Sequence, residues 1–319
     1  MTADLIESPR KARRKSTERT PRPIKLTDGD ADMIRHVAKH RFLRSPDIAR
    51  LTGRPLEKVR ERANELYHSG HLDRPRIQFD LPMEKGSAPH IFAMGNKGAD
   101  LLTALDGIPR AKVDWTDKNH TVGAIFFLHT LMIADLMIGF EIAARASSGR
   151  IRLMEPEEIL SRAPETTRRA ANPWKLTATI VDASGRIEIG NIPDKVFGID
   201  DTQARKRSYF LYEADRGTMP ITRTHPRQTS FQQKVLGYLA GGGSENAHGK
   251  RFGIGNFRVL TVTTSSQRVE NMIAAVKAAT GGAGSRQFLF GVHDDIVSSP
   301  NLLAHEWITG TGERVRLVE

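Results

Sequence analysis

Residues 124–144 read AIFFLHTLMIADLMIGFEIAA, an apolar run close to the roughly 20 residues that cross a bilayer. What this run becomes, a membrane span or a core helix, decides the class of fold. His129, Asp135 and Glu141 interrupt it at six-residue steps, and six residues turn an α-helix by about 240°. The three polar groups therefore cannot share one face, and an acid near mid-bilayer costs roughly 2.5–3.5 kcal/mol. The run is read as a buried helix of a soluble domain, over about 120–146, with no membrane partner. His129 and Asp135 are then expected as hydrogen-bonded core groups, with Asp135 or Glu141 as a candidate extra site acid. Met132, Met137, Phe126 and Phe127 are expected as packing.

A chain of 319 residues suits two compact domains, and 27% charged with 39% hydrophobic residues is an ordinary soluble balance. The absence of cysteine excludes a disulfide scaffold, a cysteine nucleophile and Cys-ligated metal. It also fits a reducing compartment. The opening MTADLIESPRKARRKS has no apolar core after its charges, so a cytoplasmic protein is expected. The formal charge of +11 points to a polyanionic partner. It is concentrated in residues 10–25, where eight Lys and Arg stand against Glu18 alone, a net +7. With Pro21, Pro23 and no apolar periodicity, residues 1–25 read as a disordered basic arm that tethers the chain to nucleic acid, with a solubilising tail as the alternative.

Residues 26–110 read as a first domain. Thr27 and Asp28 stand at a helix cap, and the following helix carries acids in its first turn. Asp28, Asp30 and Asp32 have calcium-loop spacing, but Met33 occupies the place where that loop needs glycine, so capping is the better reading. Ser45-Pro46 opens a second helix, Thr52-Gly53 a turn, and Pro55 a third helix with Leu56, Val59, Ala63 and Leu66 on one stripe. This is a helix-turn-helix arrangement. Arg54, Lys58 and Arg62 recur at four-residue steps with Arg60 beside them, placed to reach phosphates and base edges from a major groove. Strand-like runs His71–Phe79 and His90–Met94 predict a hairpin, the wing of a winged helix, made basic by Arg74, Arg76 and Lys85. A helix over Asn96–Leu105 closes the unit.

Residues 111–319 read as a mixed α/β domain. Strands are predicted at Arg150–Glu155, Lys175–Val181, Arg186–Ile189, Asp194–Ile199, Ser208–Ala214, Arg258–Thr263 and Gln287–Val292, and helices at Ser230–Ala240 and Arg268–Ala279. The chemistry-bearing residues are Asp194, Glu213, Asp215, Lys234 and Tyr238. Positions i and i+2 of a strand share a face, which would project Glu213 and Asp215 together. Antiparallel pairing of the 194–199 and 208–215 segments would bring Asp194 beside Glu213. Converging carboxylates suit Mg²⁺, and Lys234 and Tyr238, four apart on a helix, share a face able to meet it. A surface acid pair beside a turn is the alternative. The glycine-rich run GGGSENAHGKRFGIG lacks phosphate-loop spacing and reads as a surface loop.

Taken together, the helix-turn-helix, the HTLMIAD segment, Pro193-Asp194, the run Phe210–Thr218 (FLYEADRGT), the Lys234–Tyr238 helix and RVLTVTTSSQR resemble replication-relaxation proteins. The resemblance covers about residues 26–310, and Glu-x-Asp-Arg-Gly-Thr is its most specific piece. It implies a winged-helix protein of plasmids and mobile elements, associated with mobilisation and replication. The family's second domain in turn resembles the PD-(D/E)xK nuclease fold. On that likeness Asp194 and Glu213 would be the metal acids, Asp215 stands where a lysine is usual, and Lys234 supplies the ammonium from a neighbouring helix.

The expectation is a winged helix followed by a PD-(D/E)xK-like α/β domain, binding double-stranded DNA in plasmid or mobile-element processing. A Mg²⁺-dependent nuclease using Asp194 and Glu213 and a winged-helix repressor are the alternatives. A relaxase and a second copy of the chain are the protein partners left open.

Overall fold

The fold is that of a computed structural model, which describes residues 19–81, 88–113, 116–182, 185–223, 228–243 and 245–318. It is mixed α/β and divides into two compact units, Met1–Thr130 and Leu131–Glu319. The division lies beyond the expected boundary near residue 110. The reason is packing: Phe127 sits 4.9 Å from Phe42, ring to ring, and the buried Asn119 donates to Met94 O. Asn119 and Phe127 thus belong to the first unit's core.

In the first unit, α1 (Asp28–His40) is followed by β1 (Leu43–Arg44), α2 (Ser45–Thr52), α3 (Leu56–Ser69), β2 (Leu72–Asp73) and α4 (Ile77–Asp80). Then come β3 (Ile91–Met94), α5 (Asn96–Asp106), α6 (Arg110–Val113) and α7 (Thr116–His120). Strand β3 lies between β1 and β2, antiparallel to both. The expected long strand over His71–Phe79 is corrected to two residues of strand and the short helix α4. Pro75 accounts for this, because it cannot donate to a ladder. Helix α1 starts where the backbone N–H and hydroxyl of Thr27 both donate to Asp30 Oδ2, at 2.7 and 2.9 Å. Helix α3 ends at Gly70, whose φ of 88° is left-handed. Gly98 on α5 must lack a side chain, since a Cβ there would lie 2.2 Å from His71 O. The expected disorder of the arm also needs correction. Residues 1–18 lie outside the described residues, but 19–25 run along α3: Thr20 N–H donates to His68 Nδ1 and Arg62 Nη2 donates to Lys25 O.

The long helix α8 (Ala124–Ala146) begins within the first unit and continues into the second. By length and composition alone it is apolar enough to cross a membrane. Within the second unit its Met132, Leu136, Met137, Phe140 and Ala143 are buried against Phe197, Ile199, Phe210 and Tyr212. Asp135 is held by His293, with Nε2 to Oδ2 at 2.9 Å.

After α8 come β4 (Ile151–Met154), α9 (Pro156–Ser161), α10 (Glu165–Arg168), β5 (Leu176–Asp182), β6 (Gly185–Asn191), β7 (Lys195–Asp201), β8 (Lys206–Ala214) and α11 (Phe231–Gly242). The chain closes with α12 (Ala247–Phe252), β9 (Arg258–Thr263), α13 (Ser266–Ala279), β10 (Phe288–Val292), α14 (His293–Ser298), β11 (Trp307–Thr309) and β12 (Arg314–Val315). Seven strands form one sheet in the order β12-β11-β10-β9-β8-β7-β4, and β5–β6 is a separate hairpin. Strands β8, β9 and β10 are parallel neighbours, while β4, β7 and β8 pair antiparallel. Alternation along β8 sends Phe210, Tyr212 and Ala214 to the α8 face and Leu211 to the opposite core with α11 and α13.

Candidate functional site

The second unit gathers its reactive groups where β8 ends. The β7–β8 hairpin pairs Lys195 with Tyr212, so Asp194 sits one residue ahead of that register. Its N–H donates to Tyr212 O at 2.9 Å and its Oδ2 accepts from Ala214 N–H at 2.8 Å. Asp194 thereby folds over the end of β8, and its charge is felt by Glu213, Lys234 and Tyr238.

Glu213 is buried, at 6% exposure. Lys234 Nζ lies 2.5 Å from its Oε2, and the Tyr238 hydroxyl donates to its Oε1 at 2.5 Å. Both donors come from one face of α11, four residues and about one turn apart. Burial raises the Glu213 carboxyl above its ordinary range; Lys234 opposes that shift and Asp194 adds to it. For Lys234, burial works against the charge, but Glu213, Asp194 and Asp215 outweigh it and hold the ammonium above its ordinary value. Burial and Glu213 together push the Tyr238 phenol well up. Tyr238 is therefore a fixed hydrogen-bond donor to Glu213, not a phenolate nucleophile.

Asp215 lies just past the end of β8, and its charge is felt by Lys234. Strand β8 stops at Ala214, and the Asp215 carboxylate turns to Arg268 and to Thr263. Arg268 Nη2 donates to Oδ1 at 2.9 Å and Nε to Oδ2, while the Thr263 hydroxyl donates to Oδ2 at 2.7 Å. Arg268 also donates to Met219 O, fixing the turn after β8. Sequence reasoning missed Arg268, because nothing local connects it to an acid 53 residues earlier.

In the first unit the expected DNA contacts have separate fates. Lys58 and Arg60 are exposed on α3, but Lys58 Nζ lies 3.0 Å from Glu61 Oε2 and Arg60 Nη1 2.5 Å from Glu57 Oε1. Arg62 is an internal clamp: its Nε and Nη2 each reach Asp30 at 2.6 Å, and Asp30 is fully buried. Arg74 is buried too, donating to Asn64 Oδ1 at 2.7 Å and lying 4.3 Å over the Tyr67 ring. Arg54 Nη1 reaches Gly29 O and Met33 Sδ at 3.4 and 3.3 Å. Arg76 is exposed just before α4. Lys85 lies outside the described residues. Placing Arg62 and Arg74 among readers of DNA is thus corrected: both are committed to internal contacts that a groove-facing side chain could not keep.

These features define a two-unit mixed α/β protein with a buried Glu–Lys–Tyr cluster at the end of a central strand. The replication-relaxation family matches residues 34–249, more than half of the chain, and the chain belongs to it. Membership points to a role in the replication or relaxation of plasmids and other mobile elements. No curated protein and no solved structure matches the chain.

Proposed function

We propose that this chain is a duplex-DNA-binding protein of plasmid or mobile-element DNA processing, working in the cytoplasm, whose first unit is a winged helix. One observation carries the reading: the order α1-β1-α2-α3-β2-β3, with β3 between β1 and β2 and a left-handed Gly53 joining α2 to α3. Short helix, glycine turn and longer helix followed by a small antiparallel sheet is how such domains present a helix to DNA. The net +7 of residues 10–25 supports it, since phosphate contacts from such a segment supply affinity without sequence. A relaxase or another mobilisation protein is the partner this work would call for. The test is a titration of a labelled duplex at two salt concentrations. Binding should weaken by about 10³-fold between roughly 50 and 200 mM salt if some six phosphates are neutralised. No binding at the lower salt overturns the proposal.

The end of β8 favours a second reading, a Mg²⁺-dependent nuclease of the PD-(D/E)xK type. Mg²⁺ takes oxygen ligands and keeps several waters. Asp194 and Glu213 offer two carboxylates, and each Glu213 oxygen accepts one hydrogen bond from α11 and keeps acceptor capacity, so the residues fit the ion. Asp194 and Glu213 would hold it, and the ion would make a bound water more acidic and offset phosphate charge. Lys234, kept as an ammonium, would draw a phosphate oxygen toward Glu213. Tyr238 orients that carboxylate, and the Arg268–Asp215 pair holds the adjoining turn. Nicking of supercoiled plasmid in Mg²⁺ tests this reading. Asp194→Ala and Glu213→Ala should each abolish it, and nicking that survives both removes the assignment.

A further inference from the structure

For a DNA-binding first unit, the exposed bases of α3 are the natural phosphate contacts, yet the structure neutralises them in turn. Lys58 faces Glu61, Arg60 faces Glu57, and Arg62 is shared between Asp30 and Glu65. Three cations against four carboxylates leave that face without positive excess. A duplex approaching it would meet Glu57, Glu61 and Glu65, all exposed.

The other end of α3 has the opposite character. Arg19 Nη2 bridges Leu72 O at 3.1 Å and Asp73 Oδ1 at 2.8 Å, and its guanidinium lies 5.1 Å from the centre of the Tyr67 ring. Arg74 approaches the same ring, so two guanidiniums share one aromatic side chain. Arg22 follows on the same segment, is exposed, and forms no ion pair among the described residues. The carboxylate that Arg19 meets is Asp73, itself only 3% exposed. His68 registers the local field: burial, then Arg74, Arg22 and Arg19, push its imidazole below the ordinary value. Its Nδ1 accepts from Thr20 N–H at 3.1 Å, so the neutral ring carries its proton on Nε2 as a donor.

We infer that the DNA backbone is gripped where the 19–25 segment crosses the last turn of α3, through Arg22 with His68, and not by Lys58 and Arg60. The inference rests on the DNA-binding reading and specifies its surface. Arg19 is the anchor: it ties the basic segment to β2 and Tyr67, so that Arg22 is presented from a fixed place. Pro21 and Pro23 lower the freedom of that stretch, which reduces the entropy lost when a polyanion docks. The exposed ion pairs of α3 repel a phosphate as much as they attract it, and contribute little affinity.

The experiment uses the full chain and a labelled duplex of arbitrary sequence, titrated at low and at moderate salt. Arg22→Glu should weaken binding about tenfold, and Arg22→Ala should lower the salt slope by about one phosphate. The double variant Lys58→Ala/Arg60→Ala should stay within about twofold of the unaltered protein, because in this docking neither side chain touches a phosphate. All three positions are exposed, and unchanged melting temperatures verify that the variants fold. The inference is overturned if Arg22→Glu binds normally, or if Lys58→Ala/Arg60→Ala costs more than Arg22→Glu. Failure of the unaltered protein to bind at low salt overturns the DNA-binding reading itself, an outcome distinct from either.

Discussion

Arg62 and Asp30 form a two-pronged ion pair, with Nε to Oδ1 and Nη2 to Oδ2 both at 2.6 Å, on a carboxylate with no solvent exposure. The pair joins α3 to the first turn of α1. Arg62→Ala strands a buried charge, and removal of one partner of such a pair costs about 3–5 kcal/mol. Chemical denaturation should show that loss.

The same contact fixes a pH dependence. Burial alone would raise the Asp30 carboxyl, but Arg62 and the Thr27 donors outweigh it and hold it below its ordinary value of 3.8. A depressed folded pKa stabilises the fold above the unfolded value, and that contribution is lost as pH falls through 3.8 toward the folded pKa. Melting temperature should therefore drop below about pH 4, and Asp30→Asn should flatten this part of the profile.

Histidines act in the neighbouring window. Burial holds His248 below 6.5, as it does His71 and His305. The unfolded chain takes up protons at 6.5 while the fold resists them, so stability is complete above that pH and falls beneath it. Thermal unfolding at pH 7.5 and 5.5 should show a decline, smaller in His248→Gln. An equal decline in that variant would mean His248 is not a source.

Glu213 and Lys234 should behave as one unit. Lys234→Met leaves a buried acid unpaired and should cost about 3–5 kcal/mol. Glu213→Gln/Lys234→Met should lose less than the two single variants combined, a coupling that a double-mutant cycle measures directly. Additive losses would show that the 2.5 Å contact carries no coupling.

Gly98→Ala should destabilise the first unit by about 1–3 kcal/mol, the usual cost of overpacking. The added Cβ meets the backbone oxygen of His71 at 2.2 Å, where no side chain can rotate away. Melting of the variant against the unaltered protein reads this out, and no change in melting temperature would show that α5 can shift.

The elements that follow neighbouring residues were legible in the sequence. The apolar stripe of α3, the turn at Gly53, the core strand β8 and its antiparallel pairing with β7 all appear where spacing put them. Strands β11 and β12 went unread because three and two residues are too few to show a period.

The amino-acid order alone determined the helix and strand periods, the caps, and the uneven charge, because each depends on residues within a few positions of one another. Tertiary structure decided which charges stay available. Arg62 meets Asp30 across 32 residues, Arg268 meets Asp215 across 53, and Arg74 disappears beneath Tyr67. An ion pair forms where folding brings its two ends within a few ångströms, and no local pattern records that distance.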